Sequence, residues 1–300
     1  MDSEEIEKEI RSTFTQFFDK NGIPMPIYRY KGHYIPYSEF TVLALSKLNT
    51  VKIRPDDILM CTYPGTGSHW LFEMASMILN GNCERVSVVK EEMLIDWAPG
   101  ETLEAIKSPR LMSTHLPITF IPQELLKDHK MIFLNRSPKS SMVSFYRHIK
   151  KINMFGYNGE FAGFFDLFMK GEVPYGDYFK HSQEMYAFSK DNPNVLIITF
   201  EEMKKDPVNA VLLIAKFLEK TVPDKLAESI ADMCSFDKMK AEKELVCSYF
   251  REASKLKPVG TVYHSGAVDT WKKWLTVEQN EKMEAKIQSE FSDREIKFNF

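Results

Sequence analysis

The sequence predicts an α/β fold with a central parallel sheet flanked by helices, and three observations lead to this prediction. Short apolar runs without polar interruption are typical of strands that are buried on both faces of a parallel sheet. The first run leads through a glycine-containing turn into apolar residues at helical spacing. The chain has 300 residues, of which 44% are hydrophobic, so it can bury a large core. The apolar runs span residues 58–63, 131–135 and 194–200.

We expect the chain to form a single domain over residues 1–300, with residues 1–50 as an N-terminal extension that packs on the core. No internal repeat, low-complexity tract or interdomain linker divides it. Between Tyr28 and Tyr37, tyrosines are interleaved with polar residues, which favours an edge hairpin or packed loop over the wall of an apolar pocket. A helix is predicted before them from the spacing of Ile6, Ile10, Phe14, Phe17 and Phe18.

Charge and composition argue against a nucleic acid or a membrane as the partner. The net charge is −3, with both signs scattered along the chain. The N-terminus is acidic and lacks the charged-then-apolar order of a signal peptide, and no apolar run approaches the length that spans a bilayer. We therefore expect a cytoplasmic protein. Its four cysteines show no CxxC spacing, so we expect free thiols and no metal site.

The segment after the first apolar run has the plan of a P-loop-like phosphate-binding loop. Its turn contains Gly65 and Gly67, which can adopt positive φ, and helical spacing begins at Trp70. Backbone N–H groups at a helix N-terminus favour an anion. The Walker pattern GxxxxGK[ST] is absent, however, and no lysine occurs between Lys52 and Lys90. A tight connection without a ligand therefore explains the spacing equally well.

Two further strand ends carry residues that could meet a ligand. A short strand leads to His115, and a lone histidine is usually structural, but the carboxyl ends of parallel strands line the ligand crevice. Arg136 follows residues 131–135, and Ser144 lies two turns into the next helix. Together they could grip a phosphate, although each alone is typical of an ordinary surface residue.

The segment TYPGTGSHW, from Thr62 to Trp70, resembles the TYPKSGTTW loop of the cytosolic sulfotransferases. The resemblance implies that this loop holds the 5′-phosphosulfate of the donor PAPS, and that Gly65 stands where the family has its catalytic lysine. The segment STHLP resembles the family's KTHLP, which implies that His115 is the general base and that Ser113 replaces a second lysine. The implied donor-loop residues are Gly65, Thr66, Gly67, Ser68, His69 and Trp70.

Further segments in the same order extend the resemblance to about residue 282. The segment that starts at Arg136 resembles RNAKDVAVSYY, which implies that Arg136 and Ser144 bind the 3′-phosphate. Residues 234–239 resemble TSFxxM, which encloses the adenine, and residues 264–266 lie where the family has the sequence RKG. A tyrosine that touches the donor in the family is replaced by Phe200. These segments imply the donor-binding residues Phe200, Cys234, Phe236, Met239, His264, Ser265 and Gly266.

The resemblance also implies an acceptor site and an assembly. Residues 168–176 are similar to the family's FLxGxVxYG, and residues 150–163 lie where the family has a mobile loop over the acceptor. An aromatic-walled site for a phenol, a sterol or another small apolar alcohol or amine is implied. The stretch between Lys272 and Glu281 fits KxxxTVxxxE, the family's homodimerisation motif. Without the resemblance, it is an exposed helix start with a threonine cap.

These observations predict a sulfotransferase that moves a sulfuryl group from PAPS to a hydroxyl or amine and leaves PAP. Loss of the loop lysine is expected to cost about 100- to 1000-fold in rate. If this loss alone limits catalysis, Gly65→Lys is expected to regain at least about tenfold. The alternative is a catalytically impaired member that binds a hydrophobic small molecule. A P-loop kinase is disfavoured, because the Walker lysine and a magnesium-binding pattern are absent. His69 and His264 either bind phosphate when protonated or merely occupy space.

Overall fold

The computed structural model describes residues 2–86, 88, 90–151, 155–242 and 266–291. Within these residues the chain forms seven strands and thirteen α-helices, joined by loops and short 3-10 helices. In chain order they are α1 (Ser3–Ser12), β1 (Phe14–Phe18), β2 (Pro24–Tyr30), β3 (His33–Pro36), α2 (Glu39–Lys47), β4 (Ile58–Thr62), α3 (Ser68–Asn80), α4 (Gly100–Ala105), β5 (Leu111–Thr114), α5 (Gln123–Asp128), β6 (Lys130–Asn135), α6 (Pro138–Lys151), α7 (Phe161–Lys170), α8 (Tyr178–Ser189), β7 (Val195–Thr199), α9 (Phe200–Lys205), α10 (Pro207–Phe217), α11 (Asp224–Met233), α12 (Phe236–Glu242) and α13 (Val277–Phe291).

The centre of the molecule is a sheet of four parallel strands in the order β5-β4-β6-β7. All five residues of β4 are buried, as expected for a strand that is covered on both faces. The three apolar runs of the sequence form β4, β6 and β7. Helices flank the sheet, with α3 packed against α10 and α11. The predicted α/β fold class is confirmed.

The register of this sheet brings the carboxyl ends of its strands to one edge. Thr62 of β4 pairs with Leu134 of β6, and Asn135 of β6 pairs with Thr199 of β7. In open α/β sheets this edge is where ligands bind. The residues directly after the four strand ends are Tyr63, His115, Arg136 and Phe200.

The predicted N-terminal helix is shorter than the apolar spacing suggested. Helix α1 ends at Ser12, and Phe14, Phe17 and Phe18 lie in β1. They were expected on the helix because a spacing of three and four residues fits its face. Pairing with β2 overrides that spacing, since Phe14 lies opposite Tyr28 and their ring centroids are 6.3 Å apart. The tyrosine-rich residues form the hairpin of β2 and β3.

Tyr63, the first residue after β4, is anchored in an aromatic core. The ring is 1% exposed, and its hydroxyl donates a hydrogen bond to the carbonyl oxygen of Gly176 at 2.7 Å. Rings of Phe145, Phe168 and Tyr178 contact it edge-on. The start of the loop between β4 and α3 is therefore fixed by α6, α7 and α8. None of the helices in the described part of the chain is long and apolar enough to cross a bilayer.

Candidate active site

The loop between β4 and α3 has the geometry that its glycines predicted. Gly65 has a φ of +87° and Gly67 a φ of +105°, and the helix begins directly afterwards at Ser68. Thr66 is fully buried, and its hydroxyl donates to the carbonyl oxygen of Tyr63 at 2.7 Å. The thirteen-residue helix α3 therefore presents its N-terminus at the sheet edge, where its dipole favours an anion.

Gly65 lies directly against the backbone of α6. A Cβ atom at this position would be 2.4 Å from the carbonyl oxygen of Ser141 and 2.9 Å from the amide nitrogen of Phe145. Both contacts are with backbone atoms, which cannot rotate away. A lysine at position 65 would therefore require the backbone of α6 to shift, and the gain expected from Gly65→Lys stays a prediction.

The two ring nitrogens of His115 have different surroundings: Nδ1 contacts Thr62, and Nε2 lies on the other side of the ring. Its Nδ1 lies 2.8 Å from the carbonyl oxygen of Thr62 and 2.9 Å from the hydroxyl oxygen of that residue. A carbonyl can only accept, so Nδ1 carries the proton and the lone pair of the ring is on Nε2. Burial, assisted by the charge of Lys90, holds the pKa of His115 well below its usual value. The ring is therefore neutral at physiological pH, as a general base requires.

Lys90 is a site residue that the motifs did not indicate. It begins a 3-10 helix, Lys90–Met93, and it is 2% exposed. Its Nζ lies 3.4 Å from Nε2 of His115. The contact joins residues 25 positions apart through tertiary structure, so the spacing of the sequence gave no signal for it.

A buried polar chain supports the backbone at His115. Asp96 is fully buried; one carboxylate oxygen accepts from the amide of His115 at 3.2 Å and the other from the hydroxyl of Tyr175 at 2.8 Å. The indole N–H of Trp97 donates to the same tyrosine oxygen at 2.8 Å. Burial raises the pKa of Asp96. Sequence reasoning missed Asp96 and Trp97, because both lie outside the family motifs.

Arg136 joins the loop to the C-terminal segment. Its guanidinium donates to the carbonyl oxygens of Gly65 at 3.0 Å and Ala267 at 3.3 Å, and it stacks 4.0 Å from the ring centroid of Phe200. Burial lowers the pKa of Arg136 to about 10, so the group stays charged at neutral pH. Its Nε is buried without a hydrogen-bond partner among the described residues, as are Nε1 of Trp70 and Oγ of Ser137. Ser144 is half-buried on α6.

These unpaired atoms bear on whether the donor fits the site. A buried donor group without a partner carries a desolvation cost that an anionic ligand would remove. Trp70 Nε1 is therefore suited to an anion at the N-terminus of α3, and Arg136 Nε to a second anionic group of the same ligand. The expected residues Thr66, Gly67 and Ser68 form that helix start. The ring of Phe200 narrows the space in front of this helix start, because a Cβ atom on Gly67 would lie 2.6 Å from the ring.

His69 is paired with a carboxylate within the protein. Its Nε2 lies 2.5 Å from a carboxylate oxygen of Glu91, and both side chains are mostly buried. Burial alone would raise the pKa of Glu91, but the charge and hydrogen bond of His69 hold it below its usual range. The sequence suggested either a phosphate contact or a space-filling ring for His69. The pair with Glu91 was not expected.

The segment expected to enclose the adenine is only partly suited to a ligand. The ring of Phe236 packs against Gly266, where a Cβ atom would lie 2.6 Å away, and Met239 is 2% exposed. Cys234 is 1% exposed; its sulfur lies 3.9 Å from Met77 Sδ, and burial raises the pKa of the thiol to about 12. Cys234 therefore packs in the core, and its role as a donor contact stays a prediction. His264 and Ser265 lie outside the described residues.

Comparison with known proteins decides the family. The family model described as "Sulfotransferase domain" matches residues 55–295. The chain belongs to the sulfotransferase family. Sulfotransferase 1A1 of Rattus norvegicus is 30% identical over 286 residues, which cover 91% of this chain and 97% of that protein. Sulfotransferase 1B1 of Canis lupus familiaris is 33% identical over 257 residues, 82% of this chain and 86% of that protein. The predicted family and enzyme class are confirmed.

Solved structures agree with this assignment. Mouse sulfotransferase SULT7A1 complexed with PAP superposes with a TM-score of 0.73 at 26% identity, covering 89% of this chain and 94% of that one. Retinol dehydratase in complex with androsterone and PAP has a TM-score of 0.74 at 20% identity, covering 99% and 95% of the two chains, and shows the shared fold.

Next to His115, this sulfotransferase family member has a cluster of aromatic residues. The ring of Tyr175 lies 5.4 Å from that of His115, and Trp97 lies 5.9 Å from Phe155, which in turn contacts His148. Phe155 falls in the segment expected to cover the acceptor, of which residues 152–154 lie outside the described residues.

The stretch predicted to mediate dimerisation begins the last helix. The amide of Gln279 donates to the hydroxyl oxygen of Thr276 at 3.2 Å, which confirms the threonine cap of α13. Val277 is 76% exposed, which is unusual for a large apolar side chain at the start of a helix.

Proposed function

We propose that this chain transfers a sulfuryl group from PAPS to a hydroxyl or amine of a small apolar or aromatic acceptor, with His115 as general base. The observation that carries the proposal is the committed hydrogen bond from Nδ1 to Thr62, because it leaves Nε2 of a neutral imidazole to accept a proton. The base follows directly after β5, beside the loop at the N-terminus of α3.

PAPS supplies the activated sulfuryl group, and the chain's own residues bind and orient it. The first amides of α3 and Nε1 of Trp70 are suited to the 5′-phosphosulfate. The Nε of Arg136 and the hydroxyl of Ser144 are suited to the 3′-phosphate. Phe236 offers a half-buried ring for the adenine.

The acceptor would lie between Nε2 of His115 and the aromatic cluster. Trp97, Phe155 and Tyr175 supply flat apolar surface, and His148 supplies a polar group at its margin. A flat alcohol or amine gains from burial against such rings, while its polar atom meets the base. Because these rings are buried, they would favour a phenol over a sugar or a short alcohol.

A second function is favoured by a specific observation. Two guanidinium nitrogens of Arg136 already donate to backbone carbonyl oxygens, and no side chain fits at Gly65. A family member that has given up the donor, and that binds a hydrophobic small molecule in the aromatic cluster, would have these features.

The two functions are separated by donor binding and turnover. PAP is titrated by calorimetry into the full chain, and PAPS is then assayed with a panel of phenols. We expect PAP binding at submillimolar concentration and sulfated product, and His115→Gln should lose turnover by at least about 100-fold while keeping PAP affinity. His33→Gln, on the distant strand β3, is the matched control. No PAP binding at millimolar concentration would exclude the enzyme and leave the small-molecule binder.

We also propose a homodimer through the stretch between Lys272 and Glu281, and a cytoplasmic location. The exposed Val277 supports the dimer, because apolar burial between two copies would remove it from water. The free thiols of Cys61, Cys83 and Cys234 support a reducing compartment.

A further inference from the structure

We propose that Lys90 supplies the positive charge at the reacting centre that Gly65 and Ser113 cannot supply. This inference rests on the proposed sulfuryl transfer and adds the group that balances the charge of the migrating sulfuryl. It gives a role to a lysine that comes from a different part of the chain than the loop and strand motifs.

The position of Lys90 relative to the base is the first reason. Its Nζ lies 3.4 Å from Nε2 of His115, whereas Nδ1 faces Thr62 on the opposite side of the ring. If Nε2 accepts the acceptor's proton, the attacking oxygen lies within hydrogen-bond distance of Nε2. The ammonium group and the attacking oxygen therefore share one small space.

Burial is the second reason. Lys90 is 2% exposed, and a buried ammonium group is strongly disfavoured unless carboxylates or other acceptors lie nearby. The electrostatic field of Lys90 acts on the carboxylates of Asp96 and Glu91, which supply that environment. The ammonium group is buried in this environment before any substrate arrives, as preorganised electrostatic stabilisation requires.

The charges around His115 come from several elements. Burial lowers its pKa most, and the positive charge of Lys90 lowers it further, which keeps the base unprotonated as the pH falls. The groups that face the imidazole are Lys90 and Asp96 from the segment after α3, His69 from α3, His148 from α6 and Tyr175 from the turn before α8.

The role of Lys90 in the transfer follows from the charge that moves. The acceptor oxygen forms a new S–O bond while its proton passes to Nε2 of His115. The S–O bond to the 5′-phosphate breaks, and its electron pair leaves with PAP. Lys90 donates a hydrogen bond to a sulfuryl oxygen throughout and neither gains nor loses a proton. A donor of this kind typically contributes about 100- to 1000-fold in rate.

The test compares three variants of the full chain. Lys90→Met removes the charge and keeps the length of the side chain, and Lys90→Arg keeps the charge. Lys130→Met is the control. The side chain of Lys130 is mostly buried, and Lys130 begins β6 at the end of the sheet opposite to His115. For each variant, kcat and kcat/KM with PAPS and a phenol are measured from about pH 5 to about pH 9. PAP affinity and thermal stability are recorded on the same samples.

We expect Lys90→Met to lose about 100-fold in kcat and to shift the acidic limb of its kcat/KM profile to higher pH. Lys90→Arg should keep the position of that limb, and Lys130→Met should resemble the wild type. The inference is overturned if Lys90→Met keeps both kcat and the limb, or if its kcat falls only in parallel with stability while the limb stays in place. A wild type without turnover refutes the proposed function itself, whereas an active wild type with an unaffected Lys90→Met refutes this inference alone.

Discussion

At the scale of the residue, the contact between Thr62 and His115 shows how two neighbouring strand ends can fix the tautomer of a histidine. Thr62 ends β4 and His115 directly follows the neighbouring strand β5, and their hydrogen bond decides which imidazole nitrogen can take a proton. The position of His115 could be predicted from the sequence, because a strand end and a family motif coincide there. The contact with Lys90 could not, because it depends on how the segment after α3 folds back over the sheet.

Replacement of Gly65 is the first test at this scale. Gly65→Ala should lower the free energy of unfolding by at least about 3 kcal/mol, through positive φ and the clash with Ser141 together. Gly22→Ala separates the two effects, since Gly22 has a φ of +78° with no atom within 4 Å of a Cβ, and it should cost only about 1 kcal/mol. Chemical denaturation measures both. Equal losses would show that α6 yields to a side chain at Gly65.

His181 gives a second residue-scale test, in the pH dependence of stability. The ring is 3% exposed, and burial lowers its pKa to about 4 in the folded protein. The unfolded chain takes up the proton near pH 6.5, so stability is lost as the pH falls from there towards the folded pKa. The wild type should lose about 3 kcal/mol over this range beyond what His181→Phe loses. Unfolding curves measured at several pH values check this, and parallel losses in the two proteins would contradict it.

At the scale of the element, apolar periodicity predicted the strands of the parallel sheet but not β1, which belongs to the separate antiparallel sheet. Buried strands are apolar on both faces, so β4, β6 and β7 are visible in the sequence as unbroken runs. The first antiparallel strand was not visible, because its phenylalanines also fit a helical face. Pairing with β2 favours the strand over the helix at these residues, and the local sequence of β1 contains no signal for a partner strand further along the chain.

A buried ion pair ties β4 to β5 and provides the test at this scale. Arg110 and Asp57 have fully buried side chains, and the guanidinium also donates to the carbonyl oxygen of Lys52 at 2.7 Å. Arg110→Met should destabilise the fold by about 3 to 5 kcal/mol, because the carboxylate of Asp57 is left buried and unpaired. Arg11→Met breaks an exposed pair with Glu39 and should cost less than about 1 kcal/mol. Similar losses in denaturation experiments would contradict this difference.

At the scale of the whole molecule, the order of motifs was enough to predict the fold and the family. The motifs at the loop, at His115 and at Arg136 each follow a strand whose carboxyl end lies at the same edge, so motifs far apart in sequence converge on one site. Side-chain pairings within that site were not predictable. The pair of His69 with Glu91 and the burial of Cys234 against Met77 depend on packing between elements that no motif describes.

The proposed dimer is tested by charging its exposed apolar residue. Val277→Glu should convert a dimer to a monomer in sedimentation equilibrium without changing kcat, because the start of α13 lies outside the residues assigned to the site. Leu213→Glu is the control, since Leu213 is also apolar and 41% exposed but lies on α10. A monomeric wild type, or dissociation by both variants, would contradict the assignment.

The contact between Gly65 and α6 also has an evolutionary consequence. A lysine in the turn and the helix in its present place exclude one another, so a single codon change back to lysine passes through a damaged fold. Reversion would require the helix to move first, which selection on activity alone does not reward. A descendant of this chain would therefore more readily refine a cation contributed from another segment than gain a lysine in this turn.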